Sequence, residues 1–213
     1  MNAIAQRPRP GRPTREQAVR RHEELLDRAL EMFLEKGFEQ VTLDAIAAAL
    51  GMTKRTMYAR YRDKRALFEA CVQRAIERWI LPLEQLLAAE RPDLEATLIE
   101  VARIRLLNAI SPAGLRLQRI IYAESYRFPG IQTQAYDQGG KAAIDFLSDL
   151  FRRHIADGTA QVEEPELAAT SFLSMTVGPL IRDIVWGASY DEARTEERIR
   201  KCTRLFVRGV LPR

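Results

Sequence analysis

A chain of 213 residues, 46% hydrophobic and 29% charged, can bury a substantial core as one large domain or two unequal ones, and this composition excludes a fibrous or wholly disordered protein. Its two cysteines, Cys71 and Cys202, stand apart without CxxC spacing, which excludes a disulfide framework or a zinc cluster; with no apolar run after the start, an unexported, cytoplasmic protein is expected. The net charge of +4 is unevenly spread: residues 1–65 carry 14 Lys+Arg against 9 Asp+Glu and residues 66–213 carry 19 against 20, so a surface suited to a polyanion, or by charge alone to a membrane, lies at the amino-terminal end.

Residues 1–13 contain the run RPRPGRP, where proline and glycine forbid a helix and Arg7, Arg9 and Arg12 are strung along an extended, flexible basic arm. From Thr14 apolar residues recur every third or fourth position through Ala18, Leu25, Leu26, Ala29, Leu30 and Phe33, the face of an amphipathic helix that Gly37 ends. Two short helices follow at about 43–50 and 54–60, preceded by Thr42 and Thr53 as caps and separated by Gly51. A longer helix begins after Asp63 and runs through Leu67, Phe68, Cys71, Ile76 and Trp79 until Pro82 interrupts it. Beyond it, helices at about 93–110, 115–127, 131–156, 165–186 and 191–210 are separated by Ser111-Pro112-Ala113-Gly114, Phe128-Pro129-Gly130, Asp157-Gly158 and Gly187. No segment alternates with period two over a strand's length, so the predicted fold is all-α, with about nine helices in total.

The segment TLDAIAAALGMTKRTMYARYRDKRALF, residues 42–68, has the makings of a helix-turn-helix. That motif needs a small residue where its helices cross, a glycine in the turn and apolar residues that lock the second helix steeply against the first. Ala47 is the small residue, Gly51 the turn, and Ile46, Leu50, Met52, Met57 and Tyr61 the apolar set. Lys54, Arg55, Thr56, Tyr58 and Arg60 are then left facing outward, long donors of the kind that read base edges and grip phosphates, and Lys64 extends the clamp along the backbone. A merely solvated basic face would account for these charges but not for the Ala47, Gly51 and Met57 framework.

This string, with FLEKGFEQVT (Phe33 to Thr42) before it, resembles the amino-terminal signature of the TetR/AcrR transcriptional regulators over roughly residues 15–70. The resemblance implies a three-helix DNA-binding domain, a carboxy-terminal helical domain for ligand binding and dimerisation, and repression relieved by an inducer. It also implies that Thr42, Thr53, Lys54, Thr56, Tyr58 and Lys64 face DNA, and that Tyr61 is a buried aromatic. Arg55 departs from the many relatives with glycine there, and adds either a base contact or one more phosphate contact. Arg12, with the rest of the arm, either enters a narrowed minor groove or supplies diffuse electrostatics. The expected organisation is a flexible basic arm at 1–13, the helix-turn-helix domain at 14–62, a connecting helix at 63–82, and a helical effector-binding and dimerisation domain at 83–213.

In that last domain, residues 167–181 carry no charge, yet Thr170, Ser171, Ser174 and Thr176 make a membrane span unsuitable, so the segment is buried in protein. One face presents Ser171, Ser174, Met175, Gly178, Arg182 and Val185; with Ile199, Phe206 and Val210 of the last helix it is the expected homodimer interface. Dimerisation would set two reading helices roughly 34 to 36 Å apart for a pseudo-palindromic double-stranded DNA operator. Glu124 and Arg105 each interrupt an apolar stripe and either pair with each other or orient an unknown small-molecule effector in a cavity lined by Trp79, Tyr122, Phe128, Phe172 and Trp186. The stretch IIYAESYRFPGI, residues 120–131, resembles the AefR-like carboxy-terminal subgroup.

No catalytic residues, metal ligands or cofactor motifs emerge: His22 and His154 lie far apart, and no nucleophile or Gly-rich phosphate loop is in a recognisable setting. The expected function is that of a sequence-specific DNA-binding regulator, a repressor released from its operator by a small molecule. The alternative is a helical protein-protein adaptor that keeps the fold without ligand-controlled DNA binding.

Overall fold

The computed structural model describes residues 14–79 and 81–210, and these contain helices and turns but no strand. The arm expected at 1–13, with its Arg7, Arg9 and Arg12, lies outside the described residues. The chain divides into two compact units between Cys71 and Val72, inside a helix, so the segment expected as a connector belongs half to one unit and half to the other.

The first unit holds α1 (Arg15–Gln40), α2 (Leu43–Ala49), α3 (Lys54–Arg60) and the first half of α4 (Lys64–Trp79). A reciprocal capping box starts α1, with Thr14 and Gln17 each satisfying the other's backbone amide. Gly37, at φ 79°, breaks α1 where the sequence places its end, although helical turns resume as far as Gln40. Leu25, Ala29, Phe33, Ile46, Met57, Leu67 and Phe68 are buried as this unit's core. Phe33, Phe38 and Phe68 pack there as an aromatic trio with centroids 5.1 to 5.8 Å apart.

The second unit continues α4 and adds α5 (Leu83–Leu87), α6 (Leu94–Ile110), α7 (Pro112–Glu124), α8 (Gly130–Ala135), a π turn (Tyr136–Gly140), α9 (Lys141–Ala156), α10 (Pro165–Thr176), α11 (Gly178–Val185) and α12 (Glu192–Val210). Its core is built from α6, α9, α10 and α12 around Leu98, Val101, Leu106, Leu147, Phe151 and Phe172. The Arg103 guanidinium ties α6 to α12 through Glu196, at 2.7 and 3.2 Å.

Three boundaries differ from expectation. The helix expected from Leu115 begins at Pro112, because Ser111 caps it, its Oγ accepting from Gly114 N at 3.0 Å, and proline suits a first turn whose amides have no partner. The helix expected over 165–186 is two, because Pro179 has no amide to continue the ladder and Thr176 turns its hydroxyl back on Phe172 O at 2.6 Å. The helix expected over 131–156 widens into the π turn at the pair Gly139 and Gly140.

Candidate nucleic-acid interface and ligand cavity

The helix-turn-helix rests on one local device. Leu50 ends α2, Gly51 follows at φ 61°, and the Met52 and Gly51 amides donate to Ala47 O and Ala48 O at 2.8 and 3.2 Å. This is the Schellman arrangement, which consumes the last carbonyls of α2 and requires the left-handed conformation glycine takes without strain. The chain then re-enters a helix at once: Thr53 caps α3, accepting from Thr56 N at 3.1 Å, as Thr42 caps α2 by accepting from Ala45 N at 3.1 Å. Met57 is fully buried and fixes the roll of α3. That roll leaves Lys54, Arg55, Thr56, Tyr58 and Arg60 exposed on the other side, Tyr58 at 53% of its full surface.

Not all of these donors are unoccupied. Lys54 Nζ sits 2.5 Å from Asp44 Oδ2, bridging α3 to α2, and this carboxylate holds the ammonium's pKa above its ordinary value; Asp44 Oδ1 is buried without a hydrogen bond. Arg60 lies 3.4 Å from His22 Nδ1, beside Tyr61, whose ring stacks on His22 and whose hydroxyl is pushed up to about 12 by burial. The Thr56 hydroxyl lies 2.8 Å from that of Thr53, so Arg55 and Tyr58 form the open part of the surface.

Lys64, expected to extend the clamp along the DNA backbone, makes its contacts within the subunit here. Its ammonium donates to Phe38 O at 2.7 Å and Glu39 O at 3.1 Å and lies 4.3 Å from the Phe38 centroid, so it ties the end of α1 to the start of α4. Lys64→Ala is accordingly expected to lower stability by about 1–3 kcal/mol, from the loss of two charge-assisted bonds to carbonyls. Tyr58→Phe should leave thermal unfolding unchanged and weaken operator binding severalfold. Melting curves and DNA titrations of the two variants distinguish the roles.

The seven residues expected at an effector pocket separate. Trp79, Arg105 and Tyr122 meet around a cavity of about 260 Å³, joined by Gln118, Ser125, Gln132 and Tyr136. Phe172 instead fills the core against Phe206, at 5.2 Å between centroids, and Phe128 is buried away from the cavity. Trp186 is 71% exposed, with the Arg182 guanidinium over its ring at 5.4 Å. Glu124 and Arg105 do not pair: Glu124 reaches Arg127 at 3.6 Å, while Arg105 Nη1 donates to Gly139 O at 3.2 Å. Arg105 and Glu124 both interrupt apolar stripes, but helical periodicity gives no sign of the π turn that supplies the carbonyl.

The residues expected to dimerise divide between two surroundings. Ser171, Ser174, Gly178 and Arg182 are exposed and Met175 and Val185 half-buried, so this face of α10 and α11 is open in the single chain. On α12, Ile199 and Val210 are buried and Phe206 packs on Phe151 and Phe172, so these three serve the subunit's own core. The outer side of α12 instead presents Leu205, 69% exposed, a residue the helical spacing did not single out.

No group of metal-ligating side chains occurs among the described residues, and none of their helices is long and apolar enough to cross a membrane.

Comparison with known proteins adds an independent line. The family model for bacterial regulatory proteins of the tetR family matches residues 25–71, and that for the carboxy-terminal domain of AefR-like transcriptional repressors matches residues 96–209. The HTH-type transcriptional repressor ComR of Escherichia coli is 32% identical over 75 residues, 35% of this chain and 36% of that one. The HTH-type transcriptional regulator RutR of Escherichia coli is 22% identical over 194 residues, 89% of this chain and 90% of that one. Among solved structures, the flavonoid-responsive regulator FrrA is 32% identical with a TM-score of 0.72, over 92% of this chain and 99% of that one.

Proposed function

We propose, for a chain that belongs to the TetR family and is a DNA-binding transcription regulator, that it acts as a homodimeric repressor released from a pseudo-palindromic operator by a small aromatic effector. The observation that carries this reading is the orientation of α3: Met57 is locked inward while Arg55 and Tyr58 stand open on the opposite side. An α-helix with this distribution fits the major groove, where base edges present distinct donor and acceptor patterns. Thr42 and Thr53, exposed at the amino-terminal ends of α2 and α3, carry hydroxyls of the kind that donate to phosphate oxygens.

Dimerisation is assigned to the open face of α10 and α11, with Arg182 and Val185, and to the outer side of α12. No residue of α11 is fully buried in the single chain; Leu180 and Ile181 pack against the subunit's own core, which leaves the apolar Ile184 and Val185 for a second subunit to cover. The effector would occupy the cavity at Trp79, and the word flavonoid in the name of FrrA favours an aromatic ligand. Helix α4 provides the coupling: Lys64 at one end holds the end of α1, and Trp79 at the other lines the cavity. A ligand preferring one position of Trp79 shifts the population of DNA-competent dimers by its differential affinity alone.

Selection of bound sequences from a random duplex pool tests the reading. Recovery of an inverted repeat, with affinity falling steeply as salt rises, is expected. Recovery of unrelated sequences, or indifference to DNA at every salt concentration, would indicate the adaptor instead.

A further inference from the structure

Arg105 is the only charged side chain that lines the cavity among the described residues. A guanidinium carries five donors, and in this partly buried setting one hydrogen bond is made, from Nη1 to the neutral carbonyl of Gly139. Arg103, two residues earlier on α6, shows the ordinary solution, with Glu100 and Glu196 both on its guanidinium. Arg105 has no such carboxylate: the acids nearest in sequence are engaged elsewhere, Glu100 with Arg103 and Glu124 with Arg127. Partial burial pushes the Arg105 guanidinium below its ordinary pKa, and no carboxylate stands beside it to offset that.

The rest of the wall completes the description of the missing partner. Trp79, Tyr122 and Tyr136 offer aromatic surface, and the Arg105 guanidinium lies 5.9 Å from the Trp79 ring. Gln118, Ser125 and Gln132 add neutral hydrogen-bonding groups, and no Asp or Glu lines the cavity to repel an acid. At about 260 Å³ the space is at or just under the lower end of the ~300–1,000 Å³ usual for small-molecule sites, which favours a one-ring compound over a large one.

We propose that the cavity is an acid-binding site, taking a small planar aromatic carboxylate whose anionic head pairs with Arg105 and whose ring lies among Trp79, Tyr122 and Tyr136. The assignment rests on the effector reading above only for its regulatory meaning; the binding chemistry stands by itself.

Cinnamate and its neutral isostere cinnamamide are suitable probes, titrated calorimetrically into the full-length wild type, Arg105→Gln and Arg105→Lys, with melting curves to verify folding. The wild type is expected to bind the acid roughly tenfold or more tightly than the amide, since only the acid pairs with the partly buried charge. Arg105→Gln should abolish that preference and Arg105→Lys retain part of it. Equal binding of acid and amide by the wild type, a preference that survives Arg105→Gln, or no binding of either at millimolar concentration overturns the proposal. Should Arg105→Gln fail to fold, the acid-to-amide ratio in the wild type and in Arg105→Lys still decides. Operator titration separates the two readings: an acid that binds through Arg105 without changing DNA affinity defeats the effector role alone, whereas a neutral ligand that releases DNA from this cavity, with no acid preference, defeats the anion site alone.

Discussion

Replacing Arg55 with alanine is expected to weaken operator binding by roughly thirtyfold or more, since a bidentate contact is worth about 1–3 kcal/mol and the proposed dimer would make it once in each half-site. The side chain is exposed on α3 and makes no hydrogen bond or ion pair within the subunit among the described residues, so thermal unfolding should not change. The pattern of the loss identifies the contact. If Arg55 reads a base, repeated selection from random duplexes will show relaxed preference at one position of each half-site. If it grips phosphate, all sequences will weaken alike and the salt dependence will flatten by about two phosphate equivalents per dimer. A variant that binds as tightly as the wild type would remove Arg55 from the interface.

The largest effect on the second unit is expected at Gly114. A β-carbon there would stand 2.5 Å from both Ala109 O and Trp79 Nε1, and closer still to Asn108 O. Neither carbonyl can retreat freely, because both end α6, and Asn108 O also accepts from Trp79 Nε1 at 2.8 Å and Ser111 Oγ at 2.8 Å. Asn108 completes a reciprocal pair by donating from Nδ2 to Trp79 O at 3.0 Å. Gly114→Ala must therefore separate α7 from the α4 and α6 ends, costing about 1–3 kcal/mol by the usual scale of overpacking. Denaturant unfolding should register that loss, and calorimetry should show weaker ligand binding because Trp79 moves. Full stability would mean that α7 shifts as a body.

The first unit is legible from sequence because its signals are local. The caps at Thr42 and Thr53, the break at Gly37 and the Gly51 turn each involve residues within five positions of one another, and the inward roll of Met57 follows from helical spacing. The second unit is legible as helices, but less so as surfaces. Spacing shows that α12 has an apolar face; it does not distinguish a second subunit from the subunit's own α6, α9 and α10, and Ile199, Phe206 and Val210 prove to face inward. Arg105 likewise stands out as a charge in an apolar stripe. Its partner Gly139 is 34 residues away, in a π turn whose geometry no 3.6-residue period encodes.

The bridge between Lys54 and Asp44 bears on how a regulator searches a chromosome. Binding sites compete with ~10⁶ or more unrelated stretches, all offering the same sugar-phosphate lattice. A lysine already paired within the protein adds less to indiscriminate adhesion, because gripping a phosphate there means giving up an existing, if exposed, ion pair. A target that engages the rest of α3 offsets that loss, so this internal counterion is expected to shorten residence on decoy DNA more than at the true target.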